Sequence, residues 1–201
     1  MDTNFRIDEE TVKGKFSVYN PNWNFSDRAL ITSLESSVTD RMADYGYETN
    51  TTAFSFGSSW EQYDDLFFNP AVAVSHEELD TIQTASDKLK NQEGSYFDII
   101  FGYGLLLDKR DRRFQTTDGY YSNFKQRVPM ISDDYAFFNS YEYTTFNKYK
   151  EFVTRLSLQA RAVNSLTDED VRISKRLFVS SKRLRGFEPG KIGPTDGGDF
   201  I

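Results

Sequence analysis

The sequence predicts an all-β protein of antiparallel strands, either closed across a membrane as a barrel or packed as a sandwich. Three observations carry this. Apolar and polar residues alternate with a period of two along most of the chain. Aromatic residues make up 16% of a 201-residue chain whose hydrophobic fraction is only 38%, with 18 Phe and 12 Tyr. The connections between the alternating runs switch between short and long.

In chain order, KGKFSVY places Phe16 and Val18 against Lys13, Lys15 and Ser17, and NPNWNFSDR follows as a turn. VTDRMADYGYE is a longer connection, TTAFSF a strand carrying Phe54 and Phe56, and SSWEQYDD a short connection. The stretch from about Ser75 to Gly94 is the longest. Within it HEELDTIQTASDKLKNQEG, with Leu79, Ile82 and Leu89 as a thin stripe and Lys88 and Lys90 late, predicts a short helix in an external loop. His76 at its start is expected to be a solvated loop histidine.

The clearest strand is SYFDIIFGYGLLLDK. Phe97, Ile99, Phe101, Tyr103, Leu105 and Leu107 form one apolar row, while the opposite face holds Asp98, Gly102, Gly104 and Asp108. DKRDRRFQTTDG is a compact turn. YYSNFKQRVPM sets Phe124 and Val128 against Lys125 and Arg127, and YAFFNSYEYTTF is a further strand. VTRLSLQARA sets Leu156, Leu158 and Ala160 against Arg155, Ser157, Gln159 and Arg161. The count is about eight strands over about residues 11–163, with a Gly- and Pro-containing loop from about 164 to 201.

Composition excludes several functions. Net charge is -7, from 31 acidic and 24 basic residues without a basic arm, so nucleic acid is not an expected partner. There is no Cys and one His, which excludes disulfides, thiolate chemistry and a His-based metal cluster. No apolar run approaches the roughly 18 residues of a spanning helix, so any membrane contact is made by strands. The aromatic excess and loop asymmetry favour the barrel over the sandwich. Two adjacent carboxylate pairs, Glu77 with Glu78 and Asp133 with Asp134, are poor acid/base candidates. Neighbours on a strand face opposite ways, and in a loop they are solvated. Neither a catalytic residue nor a cofactor is expected.

Three motifs then stand in order: the Asn-Pro turn NPNWNF, the turn DRRFQTTDG with Asp111, Arg112, Thr117, Asp118 and Gly119, and LRGFEPGKIGP with Leu184, Arg185, Gly186 and Phe187. Together they resemble the BamA family of bacterial outer-membrane barrel-assembly proteins, from about Lys13 to Ile201. Thr116 stands where that family usually has Pro, and Leu184 where it usually has Val.

The resemblance implies an incomplete antiparallel transmembrane β-barrel whose last loop is the sixth extracellular loop, folded inward. It makes Arg185 a latch on the inner wall and DRRFQTTDG a periplasmic turn. It also implies that the chain lacks the family's POTRA domains and the first and last strands. The implied function is assembly of outer-membrane proteins in the bacterial outer membrane without a cofactor. The implied partners are outer-membrane lipid, nascent outer-membrane proteins and, through POTRA domains, the Bam lipoproteins. The alternatives are a related transporter with the same loop motif, of the TamA or two-partner secretion kind, and a soluble β-sandwich binding module.

Overall fold

The computed structural model describes residues 2–7, 11–43, 45–167, 170–178 and 198–200. Among them one antiparallel sheet runs in strict chain order. Its strands are β1 (Asp2–Ile7), β2 (Thr11–Asn20), β3 (Ala29–Arg41), β4 (Tyr47–Tyr63), β5 (Leu66–Thr81), β6 (Gly94–Asp108), β7 (Gly119–Ser132), β8 (Ala136–Tyr149) and β9 (Phe152–Ser165). Each strand pairs with the one before it, as hairpin connections require. The described strands number nine, one more than the expected eight, because β1 precedes residue 11. There is no second sheet among the described residues, so the sandwich reading falls.

Directly opposed residues of an antiparallel ladder share a face, so the register sorts the side chains. On one face Asp98 of β6 is aligned with Ser75, Ala53, Glu35 and Lys15 of the preceding strands. On the other, Phe101 is aligned with Val72, Phe56, Thr32 and Val18 on one side and with Val128 on the other. We call the first face inner and the second outer. Leu34, Phe54, Phe56, Val72, Phe97, Leu105, Leu156 and Leu158 all lie on the outer face and are exposed. The strands from β3 onward are 13 to 17 residues long, more than the roughly 9 to 11 that cross a bilayer.

The helix expected across 76–94 is reduced to one turn, α1 (Asp87–Lys90), because β5 continues to Thr81. Strand pairing overrides the weak helical stripe there. Thr51 opposes Glu77 and Thr49 opposes Leu79, so backbone groups that a helix would satisfy internally are taken by β4. Leu79 is almost fully buried on the inner face, while His76 lies on the outer face, with its Nε2 3.7 Å from Glu78 Oε1. His76 is therefore a strand residue and not a loop residue.

Pro129 decides the register of the next hairpin. It has no N–H to give the ladder, and the pairing shifts beside it: Ile100 opposes Pro129 but Ile99 opposes Ile131. The extra residue, Met130, advances β7 by one position. Ser132 thereby lands opposite Asp98 on the inner face, with its hydroxyl bonded to that carboxylate.

Among the described residues few apolar side chains are buried, and apart from Ala29 they form two clusters on the inner face. Tyr47 and Leu79 pack with Ile173, and Val163 packs with Val171 and Leu177. Half of this core therefore comes from residues after β9. Leu79→Ala is expected to cost about 2 to 5 kcal/mol as a cavity mutation, lowering the unfolding midpoint in detergent. Val18→Ala on the open outer face of β2 should change it far less.

Candidate functional site

Residues 170–178 cross the inner wall as a strap that contains one 3-10 turn, Ile173–Lys175. Val171, Ile173 and Leu177 are buried apolar anchors, and Arg172 between the first two is only 2% exposed. A guanidinium so buried must find carboxylates and hydrogen-bond acceptors. The Arg172 Nη2 lies 3.1 Å from Asp98 Oδ2 of β6, and its Nε 3.2 Å from Glu77 Oε1 of β5 and 3.7 Å from Asp134 Oδ2 in the β7–β8 turn. Its guanidinium carbon sits 3.8 Å from the centroid of the Tyr96 ring.

Lys175 is the second cation, 3.0 Å from Asp98 Oδ2 and bonded to the Asp134 carboxylate. Ser174 donates to Glu77 Oε1 at 2.6 Å, and the Ile173 N–H donates to Gln92 Oε1 at 2.8 Å. Two cations thus meet three carboxylates drawn from three separate parts of the sheet. At the end of the strap, Phe178 packs edge-on to Tyr45 at 4.9 Å, and Arg41 lies over the Phe178 ring at 5.0 Å. Asp170 pairs with Lys88 of α1 at 2.5 Å, and that ammonium holds the Asp170 carboxyl below the usual range.

The described chain resumes at Gly198, which exchanges two 2.9 Å backbone hydrogen bonds with Leu177. The Asp199 carbonyl accepts the Val163 N–H at 2.7 Å, and Phe200 bridges to Ala162. This return segment begins to cover the free edge of β9. Leu184, Arg185, Gly186 and Phe187 lie outside the described residues.

The residues of the turn motif are brought together by one carboxylate. Asp111 Oδ1 accepts the backbone N–H of Thr117 at 3.0 Å and of Asp118 at 3.3 Å, while Oδ2 accepts the Thr117 hydroxyl at 2.7 Å. The Thr117 hydroxyl bond is the main reason the Asp111 carboxyl falls to about 2, with backbone donors adding to it. Arg112 Nε stands 3.4 Å from Asp111 Oδ2. Thr116, where the resembled family has Pro, donates to the Arg112 carbonyl at 2.7 Å and so helps close the turn. Gly119 has φ +95°, and a Cβ there would stand 2.2 Å from the Lys109 carbonyl oxygen. Nearby, Arg110 forms a two-pronged pair with Asp108, 2.7 Å on each side.

The row Phe97, Ile99, Phe101, Tyr103, Leu105 and Leu107 lies on the outer face, opposite the side that carries Asp98. The carboxylate pairs separate: Glu77 enters the Arg172 network while Glu78 faces out beside His76, and Asp134 joins the network while Asp133 Oδ2 accepts the Phe97 N–H at 2.7 Å. The sequence reading does not single out Arg172. A signal was available, since Val171-Arg172-Ile173 repeats the pattern of one Arg between apolar residues found at Leu184 to Phe187.

A single antiparallel wall, apolar outside and charged inside, with a strap tied across its inner face, is the wall of an outer-membrane type of β-barrel. Residues 1–201 match the Omp85 superfamily domain, and the chain belongs to that superfamily. A search of curated protein sequences gives no significant match. Among solved structures, the fold is similar to the crystal structure of BamA from Haemophilus ducreyi lacking POTRA domains 1-3, with a TM-score of 0.82 at 16% identity. The likeness covers 92% of this chain and 39% of that one, so the chain spans about two fifths of its length.

Arg172→Ala leaves Glu77, Asp98 and Asp134 facing one cation, and loss of one partner of a buried ion group typically costs about 3 to 5 kcal/mol. The expected readout is faster tryptic cleavage at Lys175 and Arg176 in the folded protein, with Arg172→Lys intermediate. Cleavage at the parental rate would exclude the strap as a held element.

Ionised Asp111 stabilises the turn at neutral pH. Its carboxyl is depressed from 3.8 to about 2, so this contribution is complete above the ordinary value and fades as pH falls toward 2. Carboxyl-carbon NMR should find the Asp111 midpoint near 2, and Thr117→Val should raise it. A midpoint at 3.8 would contradict the turn geometry.

Proposed function

We propose that the barrel to which this wall belongs inserts and folds β-barrel proteins in the bacterial outer membrane. The observation that carries the reading is the Omp85 superfamily match over residues 1–201; the likeness to BamA's barrel supports it at the level of fold. The apolar outer face gives it a physical setting. Lipid contacts Phe97, Ile99, Phe101, Tyr103, Leu105 and Leu107, while the charged inner face is kept from hydrocarbon.

The work needs no cofactor. An incoming strand in hydrocarbon must pair every N–H and C=O, and an exposed strand edge of the barrel supplies those partners. Nascent outer-membrane proteins are the clients, and Bam lipoproteins join through POTRA domains. The strap keeps the inner wall rigid while an edge opens. Arg185, in the motif Leu184 to Phe187, acts as a second latch of the same loop.

The lipid assignment predicts a labelling pattern in membranes. Cys at Phe101 or Tyr103 should resist a water-soluble thiol reagent, and Cys at Gly102 or Gly104 should react. Phe101→Arg at mid-membrane should cost about 2 to 4 kcal/mol. The reverse labelling pattern would invert the two faces. Assembly itself is tested with proteoliposomes and a urea-unfolded outer-membrane protein as client. Faster client folding is expected; ion conductance without any acceleration would reassign the barrel to the translocation pores.

A further inference from the structure

The outer face ends differently at its two rims. Where the long connections lie, Asp40 of β3, Glu48 of β4 and Asp80 of β5 stand directly opposite one another on that face. At the rim of the short turns the outer face carries rings and cations instead. Trp60 of β4 opposes Phe68 of β5, which opposes Leu105 of β6, so the indole stands at the short-turn end of the apolar row. One extra residue, Gln62, shifts the ladder after Glu61, and Tyr63 thereby joins Trp60 on the outer face, opposite Leu66. Further along this rim Lys150 stands 5.5 Å from the centroid of the Tyr149 ring, which opposes Phe152 on the same face.

Trp60 is held by its own neighbours. Its indole Nε1 donates to Gln62 Oε1 at 2.8 Å, and its ring packs edge-on to Phe68 at 5.1 Å. The Arg28 guanidinium lies over this ring, 5.0 Å from the centroid. The β2–β3 turn sets Arg28 there: the Trp23 N–H donates to the Arg28 carbonyl at 2.8 Å, and Asn22 Oδ1 accepts the Asp27 N–H at 3.1 Å. Among the described residues Arg28 forms no ion pair, and its partner is the face of Trp60. Of the acids in the neighbouring turns, Asp65 is paired with Lys109 at 2.8 Å and Asp108 with Arg110 at 2.7 Å, while Asp27 and Asp64 stay exposed.

We propose that Arg28 and Trp60 form a site for the anionic headgroup of a phospholipid in the leaflet at the short-turn rim. The proposal rests on the outer face meeting lipid. The guanidinium fork takes the headgroup phosphate, and the Trp60 and Phe68 rings lie against the glycerol and the upper acyl chain. Three observations select this occupant. Ring and guanidinium stand together where the apolar wall ends, which is the depth of a headgroup. The cation is stacked but carries no ion pair. The opposite rim, with Asp40, Glu48 and Asp80 aligned, has the opposite charge, so a preference for anionic lipid belongs to one rim alone. A phosphate arriving from water would meet the guanidinium but use neither ring.

The test uses the chain with Trp23→Phe, which leaves Trp60 as its single Trp, in dodecylmaltoside micelles carrying brominated-chain phosphatidylglycerol or brominated-chain phosphatidylcholine. The phosphatidylglycerol should quench Trp60 fluorescence at about fivefold lower content than the phosphatidylcholine, a preference of about 1 kcal/mol. The preference should shrink as salt rises. Arg28→Gln should bring the two lipids level while both still quench, and Arg28→Lys should keep part of the difference. Where Arg28→Gln moves the Trp60 emission maximum in lipid-free micelles, Arg28→Met, which keeps an apolar stem over the ring, serves for the same comparison. Millimolar inorganic phosphate should leave the preference in place. Equal quenching by the two lipids before any change at Arg28, a preference that survives Arg28→Gln, or its loss to phosphate would each overturn the proposal, the last by leaving a small-anion site only. Those three results leave the lipid-facing outer wall standing, whereas no quenching by either lipid would sink both that wall and the site.

Discussion

Every strand N–H and C=O in this wall must find its partner on a neighbouring strand, since neither hydrocarbon nor a crowded inner face offers a substitute. The rest of the structure follows from that requirement. Pairing in strict chain order, β1 to β9, is the arrangement in which each hairpin turn delivers a strand to its partner. It is strong enough to carry β5 through a stretch with helical sequence character. It also turns Pro129 from a missing donor into a register device, because the ladder accommodates it by one extra residue.

That shift links the ladder to the inner-face chemistry. With a period of two, a one-residue slip exchanges the faces of a strand. The bulge therefore brings Ser132 inside, beside Asp98, where Arg172 and Lys175 of the strap also converge. A wall whose inner side is polar has little apolar core of its own. The strap supplies it through Val171, Ile173 and Leu177, and its two cations neutralise most of the acidic cluster beneath. Removing water from such a cluster is costly, so the strap's position depends on several ion pairs and hydrogen bonds being made together.

The family connection and the physical reading meet at the two loop elements. The turn closed by Asp111 owes its form to local contacts within eight residues, and its motif is visible in the sequence for that reason. The strap owes its form to contacts reaching from Asp98 to Arg172 and from Glu77 to Ser174, and no local motif announces them. The split of Glu77 from Glu78 follows from strand alternation alone, whereas Asp133 and Asp134 part within the β7–β8 turn; what each inward carboxylate meets is decided by neither.

By itself the sequence determined the strand content, the two faces of β2, β4, β6, β7 and β9, the compact Asp111 turn and the absence of Cys and of a His cluster. These are properties of short windows, in which alternation and turn chemistry are written residue by residue. Only the tertiary structure decided that His76 and Leu79 belong to a strand, that Met130 is the extra residue of a bulge, and that Arg172 is the cation joining β5, β6 and the β7–β8 turn. Each of these depends on which distant residue stands opposite, and the ladder settles that only when all its strands are paired.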